Sequence, residues 1–197
     1  MKKVYKEIWE LARPFQDYRD DKGHAKITSN FALKLLQMEK ARKDVVIPAI
    51  ILHDIGWSQL SKKERFLIFD KKATKEDKEK VRMKHQKEGV RLAKQILQQV
   101  NYDKNLIKEI LKIISQHDTG KRFLSKEDGL VKDADKLWRF SRPGFNADFK
   151  RFKITPEQNY RMLKSCIDQK GFFFSESAKK IAREELKKRG KENYEKF

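Results

Sequence analysis

The 197 residues suffice for one hydrophobic core, and 13 Phe with 3 Trp exclude a disordered chain, which is poor in such residues. A net charge of +19, from 48 Lys and Arg against 29 Asp and Glu, favours anionic partners, although the acids interleaved with the bases read as a solvated surface. Cys166 stands alone, which excludes an intrachain disulfide and a thiolate metal site, and no apolar run approaches a signal peptide or a membrane span, so a cytoplasmic protein with no membrane partner is expected.

Only 8 Gly and 4 Pro interrupt the chain, and the apolar spacing is helical nearly throughout. A first helix is predicted from Lys3 to Ala12, ending before Pro14. A second starts near Lys22 and carries Ile27, Phe31, Leu35 and Met38. A third opens at Asp44 as N-cap, tolerates Pro48 in its first turn and stops near Gly56 as a C-terminal glycine. A charged fourth helix spans Lys75 to Gln99 over a stripe of Val81, Val90, Ala93 and Leu97. A fifth runs from Lys104 to His117, with Leu106, Ile110, Ile113 and Ile114 inward. A sixth covers Gly129 to Phe140, and helices at Pro156–Ile167 and Ser175–Arg189 close the chain. Residues 139–153, with Pro143 and Gly144, read as an irregular loop over a pocket. The triplet Phe172–Phe174 reads as a core anchor before the last helix. No linker divides the chain, so 1–197 is expected to form one domain.

Four histidines carry the chemistry. His53 follows Ile50 by three residues, and His117 follows Ile114 and Ile113 by three and four, so both rings share a face with core residues. A buried imidazole needs partners for both nitrogens, and a metal can be one of them. His53 and Asp54 diverge by about 100° on an ideal helix, so the helix must end there for both to reach one ion. Singly, each histidine reads as a satisfied core or surface residue. Jointly, with His24, His85, Asp118, Asp133 and Asp135, they form a nitrogen and carboxylate donor set suited to Mn, Fe, Co, Ni or Zn.

The segments Gly23-His24-Ala25, Ala-Ile-Ile-Leu-His53-Asp54-Ile-Gly, His85 with Glu-Gly-Val-Arg-Leu-Ala after it, Ile-Ile-Ser-Gln-His117-Asp118 and Asp133-Ala-Asp135-Lys-Leu resemble the HD superfamily, over about residues 23–140. The resemblance implies an all-α helical bundle around a buried metal, with the C-terminal helices of about 155–190 packed on it. It implies that His24, His53, Asp54 and Asp135 hold one ion. His85 and His117 match positions that hold a second ion in binuclear members, with Asp54 bridging, or that act on substrate in mononuclear ones. Ala-Asp-Lys-Leu favours Asp135 over Asp133.

Most such proteins hydrolyse phosphate esters or anhydrides, often of nucleotides, so a small phosphorylated substrate is expected. A divalent ion lowers the pKa of bound water and neutralises phosphoryl oxygens. Lys121 and Arg139, each just past a ligand, are the candidate phosphate-binding cations ahead of Lys84 and Lys136. Asp118 is a candidate to orient His117 or accept a proton. Trp57 reads as a pocket wall or a core residue. The same ligands also resemble di-iron oxygenases such as myo-inositol oxygenase, whose substrate motifs are not evident here. The basic-aromatic stretches Arg139-Phe140-Ser141-Arg142 and Phe149-Lys150-Arg151-Phe152-Lys153 raise nucleic-acid binding, against which the aromatics read better as core anchors.

Overall fold

A computed structural model describes residues 2–19 and 21–190. Among them are ten α-helices and no strand: α1 (Lys3–Ala12), α2 (His24–Met38), α3 (Lys43–Leu52), α4 (Lys62–Leu67), α5 (Lys75–Gln99), α6 (Lys104–Ile114), α7 (Lys126–Leu137), α8 (Arg142–Phe152), α9 (Pro156–Ile167) and α10 (Glu176–Arg189). Short 3-10 turns at Arg13–Phe15, Ile55–Gln59 and Trp138–Phe140 break the regular helices.

The fold is organised around α3. Every residue from Val45 to Leu52 is buried, and a helix apolar all round is stable only when surrounded. α1, α2, α6 and α7 surround it. Pro48 lies inside α3 rather than in its first turn, and its missing N–H leaves the Asp44 carbonyl without a helical donor. The Tyr102 hydroxyl donates to that carbonyl instead, at 2.7 Å. One contiguous apolar cluster runs from Tyr5 in α1 to Leu186 in α10.

Several elements differ from the sequence reading. Residues 142–152 form α8, not a loop. Ser141 caps it by accepting from the Gly144 N–H at 3.2 Å, and Pro143 sits in the first turn, where no donor is needed. Phe145 and Phe149 of α8, with Phe140 just before it, are buried, so these aromatics anchor the core. The short α4, capped by Ser61 and Glu64 in a reciprocal box, was not anticipated. α6 ends at Ile114, before His117. Met38 is 43% exposed and leaves the core to Leu35 and Leu36. In the aromatic triplet only Phe173 is buried, and Phe174 is 38% exposed.

Gly56 is not a left-handed helix terminator. A Cβ there would lie 2.0 Å from the His85 carbonyl oxygen and 2.4 Å from the Gly89 nitrogen. The 3-10 turn after α3 is thus pressed onto the backbone of α5, which brings His53, Asp54 and His85 into one neighbourhood.

Candidate metal centre

α3 ends at Leu52, and Asp54 adopts φ −103° and ψ 0°, the bridge region of backbone space. That break turns His53 and Asp54 toward the same point. His24 is the first residue of α2, fixed from outside: Asp17 accepts from the Gly23 N–H at 2.7 Å and the Ala25 N–H at 3.1 Å, satisfying donors that the helix start leaves open. Gly23 takes φ +86°, a left-handed value suited to glycine. Asp135 reaches in from the end of α7, and His117 from the turn after α6.

These side chains form two groups. In the first, His24 Nε2 lies 3.2 Å from His53 Nε2, and each of those nitrogens lies 3.3 Å from Asp135 Oδ1. Asp54 Oδ2 completes the group at 3.4 Å from His24 Nε2. In the second, His117 Nε2 lies 3.3 Å from Asp54 Oδ1, with His85 beside it. Asp54 belongs to both, one oxygen facing each.

The ring partners decide which nitrogens are bare. His53 Nδ1 lies 2.8 Å from the Ile50 carbonyl and His117 Nδ1 2.8 Å from the Ile114 carbonyl. A carbonyl only accepts, so both Nδ1 atoms carry a proton and both Nε2 atoms face the centre, where they offer lone pairs once deprotonated. His85 is the opposite case. Its Nε2 donates to Asp118 Oδ2 at 3.0 Å, while its buried Nδ1 has no hydrogen-bond partner among the described residues.

Burial opposes charge throughout the centre, and the partners mostly outweigh it. Asp54, desolvated but beside Arg19 and His53, is held well below the usual carboxylate range. Asp135 is held low against burial by hydrogen bonds from His24 and His53. Asp118 is lowered to about 2, against burial, by its bond from His85. His24, His53 and His117 are raised, because the carboxylates overcome desolvation. At His85 desolvation wins and the pKa falls, so the ring is neutral. Buried Nε2 atoms that a metal would deprotonate, converging with two ionised carboxylates and no thiolate, fit a borderline divalent ion.

Asp133 points elsewhere. It accepts from the Phe174 N–H at 2.7 Å, the Ser175 N–H at 2.9 Å and the Ser175 hydroxyl at 2.7 Å, pinning the start of α10 to α7. The basic residues singled out in the sequence face solvent or have other partners. Lys121 is exposed. Arg139 donates to Asp148 at 2.6 Å, Lys84 pairs with Glu64, and Lys136 donates to the Phe172 carbonyl. Asp118 engages His85 rather than His117.

The cation that does face the centre is Arg19, which the sequence reading passed over. Its Nη2 donates to Asp54 Oδ2 at 2.6 Å, and its guanidinium lies 4.5 Å from the centroid of the Trp57 ring. Trp57, fully buried, stacks on His85 at 3.9 Å and donates from Nε1 to Asp54 Oδ1 at 3.1 Å. The available signal was position: Arg19 stands among Asp17, Asp20 and Asp21, just ahead of the first ligand. Residues 16–18 and 21 lie over the centre, and the cavity between them and His24, His53 and Asp54 measures only about 10 Å³, roughly the room for one water.

A family model described as HD domain matches residues 22–139. No curated protein matches the chain. Among solved structures, the crystal structure of a predicted HD superfamily hydrolase from an uncultured Thermotogales bacterium is similar, with a TM-score of 0.59 and 22% identity, over 92% of this chain and 84% of that one.

Proposed function

Since this chain belongs to the HD domain family, we propose that His24, His53, Asp54 and Asp135 bind a divalent transition metal and that the protein hydrolyses a phosphate ester or anhydride of a small molecule, a nucleotide foremost. The observation that carries this reading is the sharing of Asp54, with one oxygen in each of two buried donor groups. When bound, such an ion supplies an activated water and neutralises phosphoryl charge. The name of the similar structure, a predicted hydrolase, agrees with this reaction class.

The chain's own residues supply the rest. Arg19 is a planar, permanently charged fork next to Asp54, suited to transfer its hydrogen bonds to phosphoryl oxygens when substrate enters. Trp57 fixes Asp54 Oδ1 and the plane of His85. His85, protonated at Nε2 and bonded to Asp118, orients that carboxylate, and Asp118 is the candidate proton acceptor beside the second donor group. We assign the phosphate contact to Arg19 in preference to Lys121 or Arg139. Uptake of a second ion by His85, His117 and Asp54 requires a bare His85 nitrogen in that group.

No described helix is long and apolar enough to cross a membrane, and the large apolar cluster that runs from α1 to α10 supports one domain over the chain. With the lone Cys166, a cytoplasmic setting is the reading we adopt.

The test is elemental analysis of protein purified without chelator, with phosphate release measured across a panel of nucleotides and phosphomonoesters. Stoichiometric metal and metal-dependent phosphate release are expected. Absence of metal after reconstitution would overturn the proposal. Two irons with a mixed-valence signal and oxygen consumption would replace it with an oxygenase.

A further inference from the structure

We infer that Gln86 is a positioning residue for the centre: it grips the turn after α6 by its backbone and so keeps Asp118 against His85. The inference rests on the proposed reaction for its kinetic consequence, but its geometry stands apart from any metal.

The turn that carries His117 and Asp118 follows the end of α6, where the helical ladder no longer fixes the chain. The N–H groups of Asp118 and Thr119 both point at Gln86 Oε1, at 3.0 and 3.2 Å. Backbone N–H groups only donate, so the amide oxygen must face them. Its Nε2 then donates to Thr119 Oγ1 at 2.9 Å. Gln86 is 3% exposed, and a buried amide with its oxygen doubly engaged has one preferred orientation.

Gln86 directly follows His85 in α5. Two consecutive residues of one helix therefore hold the same aspartate, His85 by its carboxylate and Gln86 by its main chain. Asp118 lies in the turn beyond α6, and its bond to His85 depends on where that backbone stands. A separate clamp holds the preceding residue: Gln116 donates to Asp128, and Lys132 donates to Gln116 at 2.9 Å. That clamp does not touch Asp118, so Gln86 is the contact that registers Asp118 to the centre.

The experiment reads the His85 Nε2 proton directly. In metal-free protein with ¹⁵N-labelled histidine, the wild type is expected to show a slowly exchanging, downfield Nε2–H signal for His85, absent in Asp118→Ala. Gln86→Met removes both amide groups at similar volume and is expected to lose the signal while helical circular dichroism persists. Thr119→Val, which keeps the two backbone bonds, is expected to retain it. In turnover, Gln86→Met is expected to lower kcat tenfold or more with KM unchanged, and to add nothing to Asp118→Ala, because the two act as one unit. Retention of the signal in Gln86→Met, or additivity of the two substitutions, would overturn the inference. Should Gln86→Met fail to fold, hydrogen exchange in the wild type decides: slow exchange at the Asp118 and Thr119 amides is expected, and exchange as fast as in exposed turns would overturn it. Absence of turnover with the NMR pattern intact would count against the proposed reaction and not against the role of Gln86.

Discussion

Asp54 has four polar neighbours besides the histidine it adjoins in sequence: His24, His117, Arg19 and Trp57. Arg19 competes with an ion for Oδ2. Arg19→Met is therefore expected to bind metal more tightly, while kcat/KM falls by about 10²-fold, the usual cost of losing a transition-state donor; titration with Co²⁺ and steady-state kinetics check the two halves. The titration of the site sets a second expectation. His24, His53 and His117 have raised pKa values, so they keep their protons above the ordinary value near 6.5. Metal needs those nitrogens bare, so affinity should rise with pH through neutrality and level off above the folded pKa values. In metal-free protein the same three groups stabilise the fold below pH ~6.5 and lose that contribution as pH rises. Asp118, lowered to about 2, contributes above its unfolded value near 3.9 and loses it as pH falls toward 2. Melting temperature against pH, with and without metal, reads both limbs. The two aspartates of α7 separate cleanly: Asp133→Ala leaves two backbone donors and a hydroxyl unpaired and should cost about 2–3 kcal/mol with metal content intact. Asp135→Ala should lose metal while the bonds that pin the start of α10 stay in place.

At the scale of elements, residue spacing revealed most of the helices and concealed the junctions between them. α1, α5 and α9 stand where the apolar period and the flanking prolines put them, since nothing in their tertiary setting opposes local preference. α8 was hidden because Ser141, Pro143 and Gly144 look like a turn, although Ser and Pro also open helices. Gly144 is needed there because a Cβ would sit 2.0 Å from the Trp138 carbonyl oxygen. The histidines and their order were visible, because a buried imidazole beside an acid is costly without a purpose. Arg19 and Gln86 were not, because an arginine in an acidic turn and a glutamine on a charged helix have ordinary local spacing, and their partners lie more than thirty residues away. The junction of α3 with α5 yields the prediction at this scale. Gly56→Ala would drive a methyl group into the His85 carbonyl, backbone against backbone, and is expected to destabilise the protein by about 1–3 kcal/mol and to displace His85 from Trp57. Denaturant unfolding and the tryptophan fluorescence spectrum check it.

For the molecule as a whole, α3 lies at the middle of the bundle and delivers the His53–Asp54 pair to a point that α2, α5 and α7 also reach. The net charge of +19 gave no hint of this point, because it sums over the whole chain and says nothing of where histidines and acids converge. Residues 16–19 and 21–23 form a strap that covers the centre on the side of His24 and Asp54. It is tied down by Gln16 on the Ile51 carbonyl, by Arg151 on the Arg19 carbonyl and by Arg65 against the Tyr18 ring. Asp17 in that segment also caps the helix whose first residue is His24. Lifting the strap and unseating one of the ligands are thus the same mechanical event. An ion held there would be slow to leave beneath the strap, because lifting the strap is what loosens His24. Removal by a chelator should then follow first-order kinetics with a rate that saturates as chelator concentration rises, and Asp17→Ala should raise that ceiling while leaving the equilibrium affinity less affected than the rate.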